Sequence, residues 1–144
     1  MNAGGVPKTC KSNVSCWRLE VRSWKCYNQS MKDFHDLEAY QNSKKLYPII
    51  VKITTGYPRV GFRLGDQSRR AANGIHACIA EGWGRSVVAF KEYLTRSLGS
   101  NNELISHIED AQAVGYISPD VAKDLIEQYT IIGKQLYRLR ENWH

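Results

Sequence analysis

Apolar residues return every three to four positions through four successive segments of this chain, and that one period leaves few folds open. A strand needs a period of two, and no alternating stretch competes. In the first segment, about Asp33 to Gly56, residues Leu37, Tyr40, Tyr47, Ile50, Val51 and Thr54 come to one side, and Gly56-Tyr57-Pro58 stops the helix. Pro48 lies inside it. An interior proline removes an amide donor and crowds the turn before it, at roughly 3 kcal/mol. It predicts a kink near Lys44 and Lys45, or two shorter helices.

The second segment runs from Gly65 or Asp66 to Gly82, with Asp66 as an N-cap whose carboxylate can take an orphan amide. Leu64, Ala71, Ala72, Ile75 and Ile79 form its apolar side. Gly74, Ala77 and Cys78 form a second side of small residues, where another helix backbone can come close. The third segment, Ser86 to Val114, carries Phe90, Leu94, Ser97, Leu98, Leu104, Ile105, Ile108 and Ala111 on one stripe and ends at Gly115. Gly99 interrupts it at a cost near 1 kcal/mol, which predicts a packing site that needs the missing side chain. The fourth opens on Ser118-Pro119-Asp120: an N-cap, a proline at the first helical position, and an acid at the positive helix end. Val121, Leu125, Tyr129, Ile132, Leu136, Leu139 and Trp143 carry its stripe to the C-terminus. Short connections make sequential helices antiparallel. The expectation is an all-α fold: an up-down antiparallel four-helix bundle over residues 31–144, behind a disordered N-terminal leader, residues 1–30.

Charge separates the same two parts. The leader holds five basic residues against Glu20 alone, while residues 31–144 hold 15 basic and 13 acidic residues, a net of only +2. Any argument about an anionic partner must therefore rest on where arginines cluster. The leader lacks the apolar core of a secretory signal, and its composition breaks at Ser30–Met31, which leaves Met31 open as a natural start. Cys10, Cys16 and Cys26 lie there without the spacing of a zinc site, and Cys78 stands alone as a small buried hydrophobe. Nothing suggests a disulfide framework, so a cytoplasmic location fits. No apolar run reaches the roughly 18 residues a membrane span needs.

Within this pattern lie more specific motifs. Gln67-Ser68-Arg69-Arg70-Ala71-Ala72, followed by Ile79-Ala80-Glu81-Gly82-Trp83-Gly84-Arg85, resembles the signature of bacterial four-helix-bundle proteins encoded within intervening sequences of 23S rRNA genes. That family is in turn similar to the accessory variability protein of diversity-generating retroelements. Asp36-Leu37-Glu38-Ala39-Tyr40-Gln41, Tyr57-Pro58, Phe90-Lys91-Glu92-Tyr93-Leu94, Leu98-Gly99-Ser100-Asn101-Asn102-Glu103-Leu104 and Gly115-Tyr116-Ile117-Ser118 follow in the matching order, so the resemblance covers about residues 33 to 143. Gly74-Ile75-His76-Ala77-Cys78 departs from the family's usual Ser-Ile-Pro-Ser-Asn. The resemblance implies a bundle that assembles into a homopentamer. In the retroelement branch it also implies binding to a reverse transcriptase and to nucleic acid through a basic surface.

The residues themselves point to binding. Arg63, Arg69, Arg70 and, at the helix end, Arg85 are candidates for a nucleic-acid surface, because a guanidinium fork donates two hydrogen bonds to one phosphate. The competing reading pairs one arginine with Asp66 or Glu81 and leaves the others solvated. Arg69, Asn73 and His76 share one side of the helix, and Arg70 and Glu81 flank small residues on another. Gly74, Ala77, Glu81 and Gly82 are candidates for packing or oligomer contacts. Glu81 sits at the negative end of its helix and needs a compensating cation, Arg85 or one from a neighbouring subunit. Glu103, His107 and Asp110 share a face of the third helix, the usual makeup of an exposed side. Tyr40, Tyr57, Trp83, Tyr93, Tyr116, Tyr129, Tyr137 and Trp143 exceed what one small core holds, so some are expected at interfaces or stacked on bases. No phosphate loop, nucleophile elbow or dinucleotide fingerprint is present, so neither catalysis nor a metal or cofactor is expected. The function expected is a non-enzymatic oligomeric scaffold that binds RNA or DNA, a ribosome-related partner or a reverse transcriptase, through its basic surface. The rival is a protein-interaction module whose arginines form ion pairs between subunits.

Overall fold

A computed structural model of the chain describes residues 31–144, which form one compact unit. The expected leader, with Cys10, Cys16 and Cys26, lies outside the described residues. Four helices follow in order: α1 (Glu38–Thr55), α2 (Phe62–Gly82), α3 (Val87–Ala113) and α4 (Pro119–Asn142). They pack as an up-down bundle. α2 packs against α1 and α3, α3 against α4, and α4 returns to α1, where Asn42 Nδ2 donates to Gln135 Oε1 at 3.1 Å.

Two of the four helix starts differ from the sequence expectation. Asp33 caps a separate 3-10 turn, Phe34–Asp36, in a reciprocal box with Asp36, and α1 begins only at Glu38. α2 begins at Phe62, directly after a second 3-10 turn, Arg59–Gly61, and no side chain caps it. Asp66 is therefore not an N-cap. It sits one turn inside the helix, where an acid still meets the positive end of the dipole. α4 begins as expected: Ser118 Oγ accepts from Val121 N, and Pro119 occupies the first turn. Ser86 caps α3 by accepting from Ala89 N. Gly84 and Gly115 carry φ of +78°, a conformation that side chains rarely adopt, and end α2 and α3. Pro48 does not divide α1, which runs unbroken from Glu38 to Thr55.

The core is layered Leu, Ile and Ala from all four helices, with Phe90 and Tyr129 as its largest side chains. α2 and α3 come closest together because small residues line their seam. A Cβ on Gly82 would lie 2.5 Å from the Tyr93 Cβ, and one on Gly74 would lie 2.7 Å from the Ser100 Oγ. Ser97 Oγ crosses the same seam to donate to the Ile75 carbonyl at 2.6 Å, which satisfies a buried hydroxyl. Gly99 does not belong to this seam. It is exposed, with open space where its side chain would stand, so no packing among the described residues requires it. Aromatic clusters close both ends. Tyr57 and Tyr116 meet at 5.2 Å between ring centres under the α1–α2 and α3–α4 turns, and Trp83, Phe90 and Trp143 interlock at the other end.

Candidate functional site

The first turns of α2 carry three of the candidate arginines, and the structure separates their roles. Arg63 is exposed and directed away from the core. Arg70 is 80% exposed at its side chain and donates Nε toward Asp66 Oδ2 at 3.0 Å. Arg69 turns inward. Its Nη1 donates to Thr54 Oγ1 of α1 at 3.1 Å, and its Nη2 lies 3.7 Å from Asp66 Oδ1. Thr54 in turn donates its hydroxyl to the Ile50 carbonyl, so Arg69 ends a polar relay that locks α2 onto α1. Adjacent helical residues point about 100° apart, and here that angle puts one guanidinium on the surface and the other in a helix seam.

The side shared by Arg69, Asn73 and His76 is largely taken up by packing. It faces α1, with only Asn73 exposed. His76 is buried against Tyr40 and Tyr47, whose rings meet it edge-on at 6.2 and 5.4 Å. Burial, helped by the Lys44 charge, pushes its imidazole down to about 4.

A second group lies at the far end of α2, about 30 Å from Arg63 at about 1.5 Å of rise per residue. Arg85 does not pair with the Glu81 carboxylate. It donates Nε to the Glu81 carbonyl at 2.9 Å, meeting the negative end of the helix directly. The Glu81 carboxylate instead accepts from the Tyr93 hydroxyl of α3 at 2.9 Å, a bond that raises the Tyr93 phenol above its ordinary range. Two guanidinium carbons, of Arg85 and of Arg96, each stand 5.0 Å from the centre of the Tyr93 ring. Cation–π contact of this kind positions both arginines without using their hydrogen-bond donors, of which Arg85 spends only Nε, on the Glu81 carbonyl. Both side chains belong to exposed residues.

The arginines 63, 69, 70 and 85 thus do not form one patch. Arg63 and Arg70 share one end, Arg85 holds the other with Arg96, and Arg69 is structural. Of the candidates for packing or oligomer contacts, Gly74 and Gly82 pack within the chain against α3, Ala77 is half-buried, and Glu81 is exposed. Cys78 is only half-buried, and desolvation raises its thiol. His107 lies 3.4 Å from Glu103 on α3. Among the described residues no three His, Cys, Asp or Glu side chains converge as metal ligands, and no helix is long and apolar enough to cross a membrane.

A helical bundle with two arginine groups on its second and third helices can be compared with known families. The family model of the 23S rRNA-intervening sequence protein matches residues 35–138. The chain belongs to this family. None of the curated proteins compared with it matches. In this 23S rRNA-intervening sequence protein the matched span takes in the first three helices and most of α4, and it contains both arginine groups.

Sequence reasoning missed Arg96 and the pairing role of Tyr93. The signal was present, since Tyr93 and Arg96 stand three apart on α3 and so share a face, but nothing local says that Arg85 arrives there too. It also missed Asn101, four residues beyond Ser97 on the buried stripe of α3.

Proposed function

We propose that this 23S rRNA-intervening sequence protein is a non-enzymatic scaffold that self-associates and binds RNA through its exposed arginines. The pair Arg85 and Arg96, positioned on Tyr93, carries the reading. Two guanidinium groups held at fixed distance from one ring suit two oxygens of one phosphate or two neighbouring phosphates, because less side-chain freedom is lost on binding. Arg63 and Arg70 form a second, separate basic group at the other end of α2. Self-association, with a homopentamer as the expected state, would cover exposed apolar side chains such as Val60 and Phe62, which are 85% and 69% exposed. The proposed partners are RNA first, DNA second, and a ribosome-related protein or a reverse transcriptase in the complex. Neither chemistry nor a cofactor is part of this reading.

The inward turn of Arg69 favours a second reading in part: some of these arginines stabilise helix seams, and at a subunit boundary others would do the same. Light-scattering mass of the chain, alone and with a mixed RNA, separates the two. Binding that weakens steeply with salt supports the scaffold that holds RNA. A monomer that ignores RNA at low salt rejects it.

A further inference from the structure

The surface between α3 and α4 carries a groove of about 430 Å³. Leu98 and Ile105 of α3 form an apolar wall, and Gly133 opens the opposite side on α4. Asn101 lies in the floor. It is 1% exposed, and its Oδ1 has no hydrogen-bond partner among the described residues. A side chain at Gly133 would press on the Asn101 Nδ2 at 3.1 Å, so the glycine is what admits the amide to this position. A buried amide oxygen without a donor is costly and uncommon, and here it borders an open groove.

Tyr137 stands over the groove, 53% exposed. The Arg140 guanidinium carbon lies 5.2 Å from its ring centre, and Arg140 also reaches Thr95 of α3 and Glu141. The ring is thus steadied, yet half of it is open to a ligand. Lys134 stands on the same rim, and among the described residues no carboxylate lines the groove.

We infer that this groove binds a nucleotide, with its base between Tyr137 and the apolar wall, its polar edge on the Asn101 amide, and its phosphate toward Lys134. Each part matches one property of the ligand. An aromatic ring stacks on any base. An amide offers both donors and an acceptor to a base edge, and its terminal torsion lies in a broad well, so either end can face the groove. The Lys134 charge at the rim favours an anion. The inference rests on the nucleic-acid reading for the source of the nucleotide, which is either one unstacked residue of a single-stranded RNA or a free mononucleotide.

Calorimetric titrations of the full chain with AMP, ribose 5-phosphate and a single-stranded oligoadenylate test it, together with Tyr137→Ala and Lys134→Gln, both at exposed positions. AMP is expected to bind more tightly than ribose 5-phosphate, to shift the NMR amide signals of Asn101 and Gly133, and to weaken about 5- to 100-fold in Tyr137→Ala. Competition by AMP for the oligoadenylate assigns the groove to an RNA nucleotide. AMP binding that depends on Tyr137, without any binding of the oligoadenylate, upholds the groove for a free nucleotide and rejects the RNA scaffold. Ribose 5-phosphate binding as well as AMP, or AMP binding unchanged in Tyr137→Ala, overturns the inference even where RNA binding persists. A Tyr137→Ala variant that loses self-association while AMP affinity holds overturns it too, since the groove would then belong to a second copy of the chain.

Discussion

The ring of Tyr47 meets the ring of His76 edge-on, 5.4 Å between centres and 74° between planes, so a residue of α1 closes over an imidazole that α2 keeps from water. The Nδ1 atom of that imidazole is buried without a hydrogen-bond partner among the described residues. Nothing there welcomes a second proton.

Stability should therefore depend on pH through His76. Its folded value of about 4 lies below the ordinary 6.5, so the folded chain binds fewer protons than the unfolded one. The stabilisation is complete above pH 6.5, falls as pH drops through the interval, and levels off near 4, a total of about 3 kcal/mol. Carboxylates also titrate near the lower limit, so the readout is a difference. Urea unfolding at pH 7 and 4.5 should show a larger loss for the natural chain than for His76→Leu. Equal losses would mean that His76 protonates without penalty.

Gly82 and Gly99 should respond in opposite directions to the same substitution. An alanine at 82 places its methyl 2.5 Å from Tyr93 and 2.9 Å from Phe90, so α2 and α3 must part, at about 1–3 kcal/mol. At 99 the methyl meets nothing within 4 Å inside an exposed helix, and alanine should stabilise by up to about 1 kcal/mol. Thermal unfolding of both variants checks the sign. Destabilisation by Gly99→Ala, accompanied by loss of mass on a sizing column, would place that face against a second chain.

The arginine groups should separate stability from binding. Arg85→Ala with Arg96→Ala removes two exposed guanidinium groups, so unfolding should change little, while the slope of log affinity for RNA against log salt should fall by about 2. Arg69→Ala should do the reverse. It removes the bond to Thr54 and the contact to Asp66, costing about 1 kcal/mol of stability with RNA affinity unchanged. If Arg69→Ala weakens RNA binding more than the double variant does, the division of roles drawn from the structure is wrong.

How far the chain could be read in advance follows from what is local. Ser86, Ser118-Pro119 and Gly115 act within one turn of themselves, and the helix ends they mark lie where expected. The start of α2 was not legible, because Phe62 follows a 3-10 turn with no capping side chain, while Asp66 is an acid in a position that serves a cap or an ion pair equally. Arg69 and Arg70 were legible as pointing apart, but which one turns inward depends on Thr54, fifteen residues away on another helix. Gly99 was expected at a packing site, but within the described chain it faces open space, because a glycine that costs helix propensity gives no sign of which side requires it. The Arg85–Tyr93–Arg96 arrangement depends on how deeply α2 and α3 approach, which Gly82 and Gly74 set together.

Pro48 supplies a last test. Its ring nitrogen cannot donate to the Lys44 carbonyl, yet α1 continues through it as one helix, and the residue is exposed. The helix therefore persists because Leu46 and Ile50, on either side of the proline, are buried against the rest of the bundle, while the lost bond remains a standing cost. Pro48→Ala restores the donor and adds a good helix former, and it should stabilise the chain by about 1–3 kcal/mol with an unchanged denaturant slope. Two opposing effects limit the gain: proline also restrains the unfolded chain, and any local bend that lets Tyr47 lie over His76 would relax. A variant less stable than the natural chain, with its His76 imidazole titrating closer to 6.5, would show that the proline holds Tyr47 in place and is required for that contact.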